Sequence, residues 1–140
     1  MVSQNSCGAL IKQLHDALEK SANNHMRADG ITMTQCGALL ALRDAPEEQM
    51  PLKELERALH VAQSTAAGVV ARMEQKGLLE GFSDPDDRRV KMVRLTPAGR
   101  ENCLSAERGM EQTEEQLLSG LNEEEREIFL RLLKRVRDSL

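Results

Sequence analysis

The sequence predicts a mainly α-helical fold that carries one small β-hairpin. Apolar residues recur at helical spacing through most of the chain, and the helix boundaries carry legible caps. One stretch, about residues 78–96, instead alternates with a period of two around a turn cluster. The 140 residues suffice for one domain with a core, and are too few for two ordinary ones. With two Phe and no Trp or Tyr, the apolar set is Leu, Ala, Val, Ile and Met, which helices pack readily.

Residues 7–28 open the helical part, with Leu10, Ile11, Leu14 and Leu18 on one stripe, and Gly30 breaks it. Thr32 with Gln35 three positions on forms a capping box for a helix through Leu39, Leu40 and Leu42. Asp44–Met50 reads as a polar loop. Pro51 then stands as the first-turn proline of a short helix with Leu52, Leu55 and Leu59 on one side. His60-Val61-Ala62 is a tight connection into a second helix at about 63–76, with Ala66, Val69, Val70 and Met73 inward and Gly77 as its left-handed stop. Two short helices joined this way suggest a helix-turn-helix.

Leu78–Ser83 and Val90–Leu95 read as strands, separated by the turn residues Asp84-Pro85-Asp86-Asp87. A hairpin with arginines at its tip, directly after a helix-turn-helix, is a wing. Thr96-Pro97 restarts helix to about Leu118 with apolar Ala98, Cys103, Leu104, Met110 and Leu117, and Gly120 ends it. Asn122 with Glu125 caps a last amphipathic helix bearing Ile128, Phe129, Leu132, Leu133 and Val136. The expected division is a helical dimerisation region at about 1–30 and 100–140, around a winged helix-turn-helix at about 32–99.

Composition excludes several function classes. No apolar run approaches bilayer length and the N-terminus lacks a signal-peptide layout, so a soluble cytoplasmic protein with no membrane partner is expected. Cys7, Cys36 and Cys103 are odd in number and widely spaced; they read as buried, inert thiols and not as a disulfide framework. His15, His25 and His60 fall at no recurrent zinc spacing relative to them. With no glycine-rich phosphate loop, metal constellation or nucleophile–base set, neither an enzyme nor a cofactor is expected.

Charge is distributed unevenly. Residues 50–99 carry 8 Lys and Arg against 7 Asp and Glu, while 1–49 carry 4 against 6 and 100–140 carry 7 against 10. The positive middle concentrates in Arg88, Arg89, Lys91 and Arg94, a local basic feature on an acidic body.

The whole arrangement resembles the multiple-antibiotic-resistance regulator (MarR) family of bacteria. The most specific segments are Asp84-Pro85-Asp86-Asp87-Arg88-Arg89 and Val93-Arg94-Leu95-Thr96-Pro97-Ala98-Gly99, supported by Ser64-Thr65 and by Met73-Glu74-Gln75-Lys76-Gly77-Leu78. The resemblance implies a homodimeric transcription regulator on a pseudo-palindromic double-stranded operator. It is knitted together by Leu10, Ile11 and Leu14 with Ile128, Phe129, Leu132, Leu133 and Val136. A small anionic or aromatic effector would bind between the dimer platform and the winged domain.

In physical terms the second helix of the motif would enter the major groove, with Gln63, Ser64 and Thr65 at base edges and Gly68 permitting close approach. Arg88 would enter the adjacent minor groove, with Asp87 either orienting it or bracing the wing, while Arg89, Lys91 and Arg72 would address phosphates. The bland reading of the hairpin charges is an edge that discourages strand pairing. Gly68 and Gly81 stand where family members often carry basic residues, Ala62 where a capping Ser is usual, and His60 where a turn Gly is usual. The alternatives are a thiol-based redox sensor of the same fold, and an interaction module with weakened DNA binding. Against the first, hydroperoxide-sensing relatives place tyrosines near a first-helix cysteine, and this chain has none.

Overall fold

The computed structural model describes residues 3–140, so the first two residues of the expected N-terminal region lie outside it. Helix α1 spans Cys7–His25, opened by Ser6, whose hydroxyl accepts the Ala9 N–H at 3.2 Å. It is shorter than expected, because the chain tightens into a 3-10 turn, Arg27–Asp29, that left-handed Gly30 closes. Helix α2, Met33–Arg43, starts at the Thr32–Gln35 capping box, with both reciprocal bonds formed.

The loop expected after α2 is partly a strand. A 3-10 turn at Pro46–Glu48 leads into β1, Gln49–Pro51, which pairs antiparallel with β3, Lys91–Leu95. Three residues with a single inward side chain, Met50, show no alternation that a sequence reading could detect. Pro51 closes this strand and is the N-cap of α3, Leu52–Leu59, one position before the expected first helical turn. Glu47 and Glu48 are both left-handed, at φ 58° and 56°. That costly geometry is held where Arg100 Nε meets the two Glu48 carboxylate oxygens at 2.9 and 3.1 Å.

After α3 the chain reverses at His60, φ 53°, and α4 runs Gln63–Gln75. It ends in a Schellman motif: Gly77 N–H bonds the Glu74 carbonyl, and Leu78 N–H bonds the Met73 carbonyl, both at 2.9 Å. Gly77 takes φ 75° there, as the sequence suggests. Strand β2, Leu79–Ser83, pairs with β3, and the sheet order is β1-β3-β2.

Thr96 caps α5, Pro97–Leu117. The inward face of α5 is made of small residues, Gly99, Cys103, Ala106, Gly109 and Thr113, whereas Leu104, one of its few large apolar residues, is 56% exposed. Small residues let α1 and α2 approach closely: a Cβ on Gly109 would lie 2.8 Å from Met26 Cγ. Gly120 does not stop the helix in a left-handed cap; α5 has already ended at Leu117, and the left-handed glycines among the described residues are Gly30 and Gly77. Helix α6, Glu123–Asp138, begins at the Asn122–Glu125 capping box, and none of its residues is buried.

The core lies where α2, α3, α4 and α5 meet the sheet, around Leu39, Leu42, Leu55, Met73 and Val93, all at 2% exposure or less. Among the described residues no helix is long and apolar enough to cross a membrane.

Candidate nucleic-acid interface

Burial of Ala66, Val70 and Met73 fixes which face of α4 looks outward. Gln63, Ser64, Thr65, Ala67, Gly68, Ala71 and Arg72 are all exposed. Ala62 is the N-cap and makes no side-chain capping bond. The first-turn amides of α4 therefore lack a protein side-chain partner, and the positive end of the helix dipole points at whatever docks there. A Cβ on Gly68 would meet nothing within 4 Å, so the middle of the exposed face is flat and open.

The hairpin lies beside this helix. Ala67, Val70, Ala71 and Glu74 of α4 share a cleft of about 400 Å³ with Gly81, Phe82, Ser83 and Lys91 of the hairpin. The wing and α4 thus flank one concave surface. Its floor owes its shape to small residues, since a Cβ on Gly81 would press within 2.9 Å of Glu74 Oε1.

Of the two roles expected for Asp87, the structure has it brace the wing tip. Asp87 does not hold Arg88. Its Oδ1 accepts both the N–H and Nε–H of Arg89 at 3.1 Å, and its Oδ2 accepts from the other guanidinium nitrogen at 3.2 Å. An acceptor two residues before the donor matches this turn, whereas the adjacent side chain of Arg88 points elsewhere. The Arg89 guanidinium holds the Asp87 carboxyl below the ordinary carboxylate range. Asp84 adds a second brace, its Oδ1 accepting the Asp86 N–H at 2.9 Å.

Arg94, counted with the basic cluster, is engaged inside the wing. It makes paired bonds to Glu80 at 3.1 and 3.2 Å and sits 4.5 Å from the centre of the Phe82 ring. Among the described residues Arg88, Lys91 and Arg72 make no ion pair, and all three are exposed. Of the predicted contact residues, these are the cations left without an ion pair for an anionic partner.

Of the expected dimerisation residues, Leu14, Ile128, Phe129 and Leu132 come together in one groove, which Leu10, Ile11, Leu133 and Val136 do not line. Leu10, Ile11 and Leu14 are 43–49% exposed on α1, and Ile128, Leu132, Leu133 and Val136 are 40–52% exposed on α6. Leu14, Ile128, half-buried Phe129 and Leu132 line one apolar groove with Leu117 and Leu121, a cavity of about 460 Å³. Leu121 and the exposed Leu130 were missed; Leu121 follows the last turn of α5, and Leu130 stands off the main stripe of α6.

The thiols are only partly as expected. Cys36 and Cys103 are buried, but Cys7 is exposed in the first turn of α1, where the amphipathic stripe turns its other face to the body. Burial pushes the Cys36 thiol up to about 11 and raises that of Cys103, so neither is poised as a thiolate. Among the described residues no group of three or more His, Cys, Asp or Glu gathers to hold a metal ion.

A helix-turn-helix followed by a two-stranded wing, whose second strand also pairs with β1 ahead of the motif, with exposed cations on the helix and the wing, defines a winged-helix DNA-binding protein. The MarR family pattern matches residues 29–90, which spans the helix-turn-helix and the wing tip. The HTH-type transcriptional repressor NicR of Pseudomonas putida is 36% identical over 110 residues, 78% of this chain and 68% of that protein. The structure of Bordetella bronchiseptica BpsR, described for regulation of its DNA binding by 6-hydroxynicotinic acid, superposes with TM-score 0.89. It is 28% identical and covers 99% of this chain and 97% of that one. A mutant MarR from E. coli complexed with operator DNA superposes at 0.83, with 25% identity over 92% of this chain and 91% of that one. The chain belongs to the MarR family of transcription regulators.

Proposed function

We propose that this regulator works as a homodimeric repressor that binds a pseudo-palindromic duplex and is released by a small aromatic anion. The observation that carries the DNA half is the shared cleft, with α4 on one wall and the wing on the other, Lys91 in its lining, and exposed, unpaired Arg72 and Arg88 on the same helix and hairpin. Gln63, Ser64 and Thr65 meet base edges, and Gly68 lets the helix sit deep in the major groove. Arg88 enters the minor groove; Arg72 and Lys91 hold phosphates. Arg89 addresses phosphate from a guanidinium already fixed by Asp87, so little side-chain freedom is lost on binding.

Residues 32–99 form the winged unit on this reading, and about 1–30 with 100–140 the dimerisation region. The aromatic-anion effector is supported by the similarity to BpsR, whose DNA binding is regulated by 6-hydroxynicotinic acid. No catalytic role is assigned, and the protein acts in the cytoplasm.

The test is selection of duplexes from a random library by the purified protein, followed by sedimentation of the complex. A two-fold-symmetric consensus bound by two chains is expected. Failure to enrich any sequence, or a one-chain complex, would overturn the reading.

A further inference from the structure

The C-terminal end of α4 makes a contact that base and phosphate recognition do not use. Lys76, the C-cap residue, donates from Nζ to the Gly30 carbonyl and to Gln35 Oε1, the latter at 3.1 Å. That same amide oxygen accepts the Thr32 N–H at 3.3 Å and completes the capping box of α2. Gln35 is buried, at 4% exposure. Gly30 closes the 3-10 turn that follows α1. One residue past Lys76, the Gly77 carbonyl accepts the Thr96 hydroxyl at 2.6 Å, and the Leu78 carbonyl accepts the Thr96 N–H at 3.1 Å. The end of α4 is therefore tied to the α1–α2 junction on one side and to the start of α5 on the other.

The surroundings of the Lys76 ammonium are electron-rich. It stands at the negative end of the α4 dipole, against a carbonyl that itself ends a helical turn, and beside an amide oxygen. Two of its three donors are taken by acceptors within the protein. Lys76 is exposed, as Lys91 is on the wing, but the Lys76 ammonium is bonded within the protein whereas Lys91 makes no ion pair.

We propose that Lys76 is a positioning residue for DNA recognition: it latches the end of the reading helix to the α1–α2 junction, so that the two reading helices of a dimer keep a fixed separation. The inference rests on the homodimeric DNA-binding reading above. The two helices must land about one helical turn of DNA apart, roughly 34–36 Å, or a multiple of that. A helix loose at one end meets that requirement only part of the time, and the apparent affinity falls by the competent fraction.

The probe is a symmetric duplex selected by the wild-type protein, with versions whose half-sites lie one base pair closer or farther, and a scrambled duplex. Lys76→Met is expected to weaken binding to the selected duplex about five- to tenfold. Scrambled-duplex affinity and salt slope should stay unchanged, and the penalty for altered separation should flatten. Lys76→Arg keeps donors for both acceptors and is expected to restore the separation preference. Without DNA, spin labels on Ser64→Cys in a Cys7→Ser background read the distance between the two reading helices. Its distribution should broaden in Lys76→Met.

A salt slope reduced by about one in Lys76→Met would identify a phosphate contact and overturn the proposal. A lowered thermal midpoint with unchanged separation preference and unchanged distance distribution would leave only a helix cap, and would overturn it equally. If the wild type selects no duplex or is monomeric, the DNA-binding dimer reading fails and takes this inference with it. If the wild type selects a duplex and Lys76→Met matches it in every measurement, the latch alone fails.

Discussion

Replacing Leu132 by Glu tests the dimer most directly. Leu10, Ile11, Leu14, Ile128, Leu132, Leu133 and Val136 each keep 40–52% exposure in the single chain. Fully burying such a side chain contributes roughly 1.5–3 kcal/mol, so covering the remaining half contributes about 0.7–1.5 kcal/mol. Seven residues on each of two chains then supply on the order of 10–20 kcal/mol. The cost of lost translational and rotational freedom is about 4–15 kcal/mol, so the surplus is modest. Two-fold symmetry counts each substitution twice. Leu132→Glu therefore removes about 1.5–3 kcal/mol of apolar burial before the cost of placing two carboxylates in the groove of Leu14, Leu117 and Phe129. The dimer dissociation constant should rise at least tenfold, and selected-duplex affinity should fall with it. Leu104→Glu, at an exposed position on α5 outside that groove, should change neither. Sedimentation over a concentration series reads the result. A dissociation constant for Leu132→Glu equal to that of Leu104→Glu would remove α6 from the interface.

Arg88→Ala should weaken the selected duplex by about 1–3 kcal/mol with dimer and helix content intact; wild-type affinity in a titration at physiological salt would take the wing out of the groove. Gly68→Arg adds a cation on an open face without a defined base partner, and removes up to about 1 kcal/mol of glycine cost in the helix interior. It should tighten selected and scrambled duplexes alike, and a gain confined to the selected duplex would contradict that account. Glu48 is held below the ordinary 4.5 by its hydrogen bonds to Arg100. A depressed folded value means the pair stabilises above the unfolded value and that the contribution is lost as pH falls through the folded one. Thermal midpoints from pH 7 to pH 3 should therefore fall more for the wild type than for Arg100→Gln; parallel curves would speak against the clamp.

The parts of this molecule legible in the sequence are those whose cause is local. Thr32 with Gln35, Asn122 with Glu125, Thr96 before Pro97 and left-handed Gly77 each act within one turn of helix, and each stands where its residue types demand. The outward face of α4 was readable for a related reason: Ala66, Val70 and Met73 must be covered, and that leaves Ser64, Gly68 and Ala71 outside. Strand β1 had no such local cause. It exists because β3 offers an unpaired edge to Gln49 and Pro51, a partner more than forty residues away. The α5 stripe misled for a related reason. Size suggests burying Leu104, but close approach of α1 and α2 selects Ala106 and Gly109 for the inside, the Leu78 carbonyl and Leu95 of the wing require Gly99, and the leucine is left to solvent.

The wing tip shows how far residue types alone reach. Four cations close together in sequence carry equal weight there, yet Arg94 is engaged by Glu80 and Phe82, and Arg89 by Asp87. Only the folded hairpin separates braced arginines from free ones, because the pairing depends on strand register and on the turn between Asp84 and Val90. The free set is then Arg88 and Lys91 on the wing with Arg72 on α4, a smaller charge than the sequence suggests. A reading surface with so few mobile cations and a flat helix face gains more from being held at the right spacing than from added charge. The ties that converge on the end of α4, from Lys76 to Gly30 and Gln35 and from Thr96 to Gly77, supply that constraint.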